Sequence, residues 1–169
     1  MKNIVLVGFM GTGKTEVGRE LSRLLGMRFI DLDSEIEKSE GMSIKEIFKR
    51  FGEKYFRDAE SREVERISKV DNVVISTGGG VVLREENMEH LRGNGIIVGL
   101  FASPEVIISR VKNSNERPLL NVPEPIERIK GLLDLRMPFY KKADIRIETN
   151  GLTPVEVAEK ILKETGWKG

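Results

Sequence analysis

The sequence predicts an α/β fold in which helices cover both faces of a parallel β-sheet. Three observations lead there. Apolar runs of strand length alternate along the chain with segments of helical period. Those runs carry little of the polar alternation that a half-exposed sheet would show. A glycine-rich turn joins the first run to the first helical segment, the arrangement in which phosphate is bound at a helix N-terminus.

Taken in order, the apolar run Asn3–Val7 reads as the first strand and Lys14–Leu25 as the first helix. Arg28–Ile30 is the second strand, followed by helical patterns over Ser34–Ser39, Ser43–Phe51 and Lys54–Ser68. Val73–Ser76 gives the third strand and Glu85–Leu91 a short helix. Ile96–Phe101 is the fourth strand and Asp144–Glu148 the fifth. Three further helices, Pro104–Val111, Pro125–Lys141 and Pro154–Glu164, each open on a proline. The least regular stretch is Lys112–Glu124, "KNSNERPLLNVPE". Such a loop in a compact domain is either functional or a plain surface connection. No repeat, low-complexity tract or linker interrupts the chain, so 1–169 is expected to form one domain, long enough to bury a core without staples.

Composition removes several classes of function. The absence of cysteine excludes disulfides, thiolate zinc sites and cysteine nucleophiles, and suits a cytoplasmic location. A single histidine, His90, in a polar helical stretch argues against a histidine metal cluster or a Ser-His-Asp triad; a solvated side chain is expected. With 28 basic and 27 acidic residues the net charge is +1, which speaks against nucleic acid or a membrane surface as partner. No apolar run has bilayer-spanning length and no signal peptide precedes the first strand. The expectation is a cytoplasmic monomer.

The strongest motif is Gly8-Phe-Met-Gly-Thr-Gly-Lys-Thr15, which fits G-x-x-x-x-G-K-[ST] between a strand and a helix. Its glycines let successive N–H groups point into one concavity, and the following helix dipole adds attraction for phosphate. Lys14 is expected on the β- and γ-phosphates, with the Thr15 hydroxyl on magnesium. This establishes a nucleotide, not a reaction.

The receiver of the phosphoryl group must come from elsewhere. Asp31 and Asp33, in "FIDLDSEIE", are read as ending the second strand, where residues two apart share a face. One would hold magnesium, directly or through water, and the other engage an acceptor hydroxyl. Alternatively one of them only caps the next helix, a role that suits Asp33 better than Asp31. Arg57 and Glu60 stand i, i+3 and read equally well as a surface pair of little weight. Arg136 and Tyr140, at i, i+4, read equally well as packing neighbours. The third strand ends in Ser76, Thr77 and the triplet Gly78-Gly79-Gly80, where many nucleotide-hydrolysing proteins carry an acid. A turn requiring positive φ would explain one glycine, not three.

Together these stretches resemble the shikimate kinase family: GFMGTGKT, FIDLDSEIE, GMSIKEIF at 41–48, FRDAE at 56–60, STGGG, RPLL at 117–120 and RMPFY at 136–140, spread over nearly the whole chain. The resemblance implies the adenylate-kinase-like P-loop NTPase fold, a five-stranded parallel sheet in the order 2-3-1-4-5. It implies transfer of the ATP γ-phosphoryl group to the 3-hydroxyl of shikimate, giving shikimate 3-phosphate and ADP with Mg2+ as cofactor. It puts Gly11, Thr12, Gly13, Lys14, Thr15 and Glu16 on the ATP phosphates, and Arg110 and Pro154 beside adenine. The metal falls to Thr15 and Asp31, with Thr77 assisting through water. Shikimate falls to Asp33, Arg57, Gly78, Gly79, Gly80 and Arg136, within an acceptor region of about 33–62. A mobile lid over 112–124 would bring Arg117 to the transferring phosphate, making Lys14, Asp33 and Arg117 the catalytic set. One departure is Glu16, where the family has Ser or Thr. A carboxylate suits a helix N-terminus but removes a hydroxyl from the α-phosphate. The readings kept beside this one are a gluconate or nucleoside-monophosphate kinase of the same fold, and a nucleotide-binding module without catalysis.

Overall fold

The computed structural model of the protein describes residues 2–112 and 124–168. Arg117, Leu119, Leu120 and the body of the expected lid lie outside the described residues. Five strands, β1 (Asn3–Gly8), β2 (Arg28–Asp31), β3 (Val73–Ser76), β4 (Gly95–Phe101) and β5 (Ile145–Glu148), form one sheet in the order β2-β3-β1-β4-β5. Every pairing is parallel, as the resemblance implies.

The helices are α1 (Lys14–Leu25), α2 (Leu32–Glu40), α3 (Ile44–Ile67), α4 (Glu85–Gly93), α5 (Pro104–Lys112), α6 (Pro125–Tyr140) and α7 (Pro154–Thr165). They explain the unalternated strands. Ile4, Leu6, Val74, Val98 and Leu100 pack with Val17 and Leu21 of α1 and Val157 and Ile161 of α7. The intervening residues Val5, Val7, Ile75 and Ile97 pack on the opposite face with Val64, Ile67, Met88, Leu91 and Ile107. All six residues of β1 are buried, so period-two polarity has nowhere to appear.

The boundaries differ from the expected ones for local reasons. The expected helix at Ser34 begins at Leu32, because Asp31 is its N-cap: the Asp31 carboxylate accepts from the Ser34 N–H at 3.1 Å. The fifth strand starts at Ile145, one residue late. Asp144 joins β4 with its side chain instead, Oδ2 accepting from the Ile97 N–H at 2.8 Å. The two helices expected at 43–51 and 54–68 run on as α3, broken only at Gly52 (φ 83°, ψ 177°). A 3-10 turn at Val81–Leu83, unforeseen in the sequence, follows the glycine triplet.

Gly52 occupies a backbone region essentially closed to residues with a Cβ, and it orients the half of α3 that carries Arg57 and Glu60. A Cβ there would meet nothing within 4 Å, so any penalty comes from the backbone alone. Gly52→Ala is expected to lower unfolding stability by about 1–3 kcal/mol. Urea titration at unchanged m-value reads this, and an unchanged midpoint would show that the bend relaxes without cost.

Candidate active site

The parallel register brings the carboxyl ends of β1, β3 and β4 together, pairing Leu6 with Ser76 and Gly8 with Leu100. The loop from β1 into α1 lies at that edge. Gly11 (φ 76°) and Gly13 (φ 92°) take left-handed backbone, which curls the loop. Side chains brace it from within. Thr12 Oγ1 donates to the Phe9 carbonyl at 2.8 Å, and Lys14 Nζ donates to the carbonyls of Gly8 (2.6 Å) and Phe9 (3.0 Å). From α5, Arg110 Nη1 donates to the Gly11 carbonyl at 3.0 Å and to Thr149 Oγ1 at 3.3 Å. Glu16 stands exposed in the first turn of α1.

This loop lines a cleft of roughly 460 Å³. Gly11 through Glu16 line it together with Arg110 and Pro154, the residues expected beside adenine. Asp31, Asp33, Thr77, Gly78 and Gly79 line it as well, while Arg57, Gly80 and Arg136 stand outside its lining and meet it through the triplet.

The two acids reach the cleft differently from the expectation. Asp33 does not lie on the strand; it sits in the first turn of α2, where the helix dipole favours a carboxylate. The cap is Asp31, the reverse of the sequence-based preference, with one oxygen committed to Ser34. Thr77 Oγ1 donates to the Leu6 carbonyl at 2.8 Å, fastening β3 to β1. Among the described residues no three His, Cys, Asp or Glu side chains cluster as a metal site. Thr15 and Asp31 supply hard oxygen donors only, which fits a magnesium ion that takes most of its ligands from phosphate and water.

The glycine triplet has a physical cause that φ angles do not supply, since none of its members has positive φ. A Cβ on Gly78 would lie 2.9 Å from Asp33 Oδ1, and one on Gly79 would lie 3.1 Å from Arg136 Nη1. A Cβ on Gly80 would overlap the Arg57 guanidinium. Each glycine therefore makes room for one of the three charged side chains expected at the acceptor.

Arg57 and Glu60 are not the surface pair that spacing left open. Their side chains are 13% and 1% exposed and meet at 3.0 Å. Burial pushes the Glu60 carboxyl above its ordinary value; Arg57 pulls it down, while Asp33 adds to the rise. Glu60 Oε2, Arg57 Nε and Arg136 Nε are buried with no hydrogen-bond partner among the described residues. Buried polar atoms left this way suit a site that a polar ligand completes.

Three contributors escaped the sequence reading. Glu60 closes the FRDAE motif, but spacing gives it no role beyond one half of a surface pair. Arg84 pins the Arg57 turn from outside, with Nη1 donating to the Arg57 carbonyl (3.3 Å) and Ser61 Oγ (3.2 Å) and Nη2 pairing with Asp58 (2.8 Å). Nothing in the sequence around Arg84 announces this. The Tyr140 hydroxyl donates to the Gly79 carbonyl at 2.6 Å, a partner 61 positions away that helical spacing could not suggest. His90, as expected, is exposed.

The sequence model of the family described as Shikimate kinase matches residues 10–165. A shikimate kinase of Thermodesulfovibrio yellowstonii is 57% identical over 97% of this chain and 95% of its own. One of Thermus thermophilus is 45% identical over 95% of this chain and 88% of its own. The solved shikimate kinase of Acinetobacter baumannii in complex with shikimate superposes with a TM-score of 0.92 at 40% identity, covering 98% of this chain and 93% of that one. A gluconokinase from Sinorhizobium meliloti, 18% identical with a TM-score of 0.63, shares the fold alone.

The buried pair yields a pH test. A carboxyl raised in the folded state binds its proton more tightly there than in the unfolded chain. The stability this contributes is fully present below the ordinary value of 4.5 and is lost as pH rises through the raised one. The parent's stability relative to Glu60→Gln should therefore decline as pH climbs above 4.5. A difference that grows with pH would mean that Arg57, not burial, governs this carboxyl.

Proposed function

From the premise that the chain belongs to the shikimate kinase family, we propose that it transfers the γ-phosphoryl group of MgATP to the 3-hydroxyl of shikimate, releasing ADP. The observation that carries this reading is the convergence of Asp33, Arg57 and Arg136 on side-chain-free backbone, beside a phosphate-binding loop. Shikimate is a small cyclohexene bearing three hydroxyls and a carboxylate. A flat ring can approach the glycine floor, and two guanidinium forks suit a planar carboxylate.

In this reading the loop amides of Gly11–Gly13 and the Lys14 ammonium hold the β- and γ-phosphates. Arg110 and Pro154 flank adenine. Asp33 orients the acceptor hydroxyl and takes its proton as the new O–P bond forms and the bond to ADP breaks. Arg57 and Arg136 hold the carboxylate. Arg117, assigned from the sequence motif, adds charge to the transferring group. Thr15 and Asp31 would hold magnesium beside the nucleotide, where the ion would neutralise phosphate charge. Phosphoryl transfer needs positioning and charge neutralisation more than covalent chemistry, and this residue set offers both. Among the described residues no helix is long and apolar enough to cross a membrane, and the net charge of +1 gives no overall attraction for nucleic acid. A cytoplasmic monomer acting on two small molecules fits these features.

Coupled ADP release tests the donor side. Lys14→Ala should nearly abolish transfer while the protein remains folded by circular dichroism, and near-normal turnover would remove Lys14 from its role. On the acceptor side, Asp33→Asn should depress turnover far more than it weakens ATP binding. Arg57→Ala and Arg136→Ala should each weaken shikimate binding by about 1.5–3 kcal/mol, as for charge-assisted hydrogen bonds. Normal shikimate binding and turnover in all three variants would place the acceptor elsewhere.

A separate expectation attaches to Arg117. Arg117→Ala should lower kcat by up to ~10³-fold, as for arginines that act on the transition state. Shikimate affinity without nucleotide should barely change. A normal kcat would make 112–124 an ordinary surface connection.

A further inference from the structure

Tyr140 is 1% exposed and closes the apolar core under α6, yet its hydroxyl reaches out of that core to one backbone atom, the Gly79 carbonyl. Arg136 lies one turn earlier on the same helix, and i, i+4 residues share a face. A Cβ on Gly79 would sit 3.1 Å from Arg136 Nη1 and 3.6 Å from the Tyr140 hydroxyl, so both side chains meet the triplet at its central residue. Burial pushes the phenol up to about 12, although Arg136 beside it pulls the other way. The hydroxyl therefore keeps its proton at neutral pH and remains a donor.

The Arg136 guanidinium lies over the Phe9 ring, 5.9 Å from its centre, and hydrogen-bonds with the Tyr140 side chain. Its Nε is buried without a hydrogen-bond partner among the described residues, and Gly78–Gly80 offer no side chains against which a guanidinium could be wedged. Pro138, between Arg136 and Tyr140, carries no N–H and so removes one hydrogen bond from this last stretch of α6. The tie from Tyr140 to Gly79 joins the end of α6 directly to the floor of the cleft. We propose that Tyr140 is a positioning residue for the acceptor: its hydroxyl clamps α6 to the Gly79 carbonyl and thereby seats the Arg136 fork. The inference rests on the reading that Arg136 binds the acceptor carboxylate.

Tyr140→Phe keeps the ring and removes the clamp. It should raise the KM for shikimate about tenfold, the size of one well-placed hydrogen bond, with the KM for ATP unchanged. Loss of packing alone would lower thermal stability without separating the two KM values. If Tyr140 acts through Arg136, the double variant Tyr140→Phe/Arg136→Ala should bind shikimate no worse than Arg136→Ala alone. Gly79→Ala, which pushes on the Arg136 fork from the floor, should also raise the shikimate KM and carries the test should Tyr140→Phe fail to fold. An unchanged shikimate KM in Tyr140→Phe, or additive losses in the double variant, would overturn the proposal while leaving Arg136 as a ligand. An unchanged KM in Arg136→Ala would overturn the acceptor reading itself.

Discussion

Three charged side chains from three different helices press against backbone that has no side chains to offer, and the acceptor half of the cleft depends on that contact. Asp33 comes from the start of α2, Arg57 from the middle of α3 and Arg136 from near the end of α6. Asp33 and Arg57 approach Gly78 and Gly80 more closely than a Cβ would allow, and Arg136 leaves a Cβ on Gly79 only a tight fit. A methyl group on Gly78 or Gly80 would push the Asp33 or Arg57 side chain aside, and one on Gly79 would crowd the Arg136 fork. The constraint also reaches outward: Arg84 holds the Arg57 turn and Tyr140 holds the central glycine.

The donor half is built on the same sheet edge by a different device. Its backbone is curled by left-handed glycines and braced by Lys14, Thr12 and Arg110 through carbonyl groups. Parallel pairing of β1 with β3 places the two halves side by side, and Thr77 ties the strand ends together. In the proposed reading the sheet thus sets the distance between phosphate and acceptor, which is the quantity that transfer between two bound molecules demands.

Much of this was legible in the chain, and the exceptions are instructive. GFMGTGKT announced its loop because phosphate binding by backbone needs glycines and a following helix. The unalternated strands announced burial on both faces. Motif resemblance, not periodicity, supplied the strand order. What stayed hidden depended on burial and on partners distant in sequence. Spacing gave Arg57 and Glu60 as neighbours but could not say that the pair lies inside. The sequence reads Asp33 as strand because the helix start at Leu32 turns on which acid caps it, and only the Asp31–Ser34 hydrogen bond decides that. The bond from Tyr140 to Gly79 joins segments that no local pattern connects.

The claim on which the rest turns is that the glycine-floored pocket selects one acceptor. The direct measurement is ADP release from MgATP with shikimate, quinate, gluconate and AMP compared at equal concentrations, with the product identified by phosphorus NMR. This account predicts turnover with shikimate far above the other three and a single phosphate ester on its 3-hydroxyl. Preferential turnover of gluconate or AMP, or no acceptor-dependent ADP release at all, would contradict it.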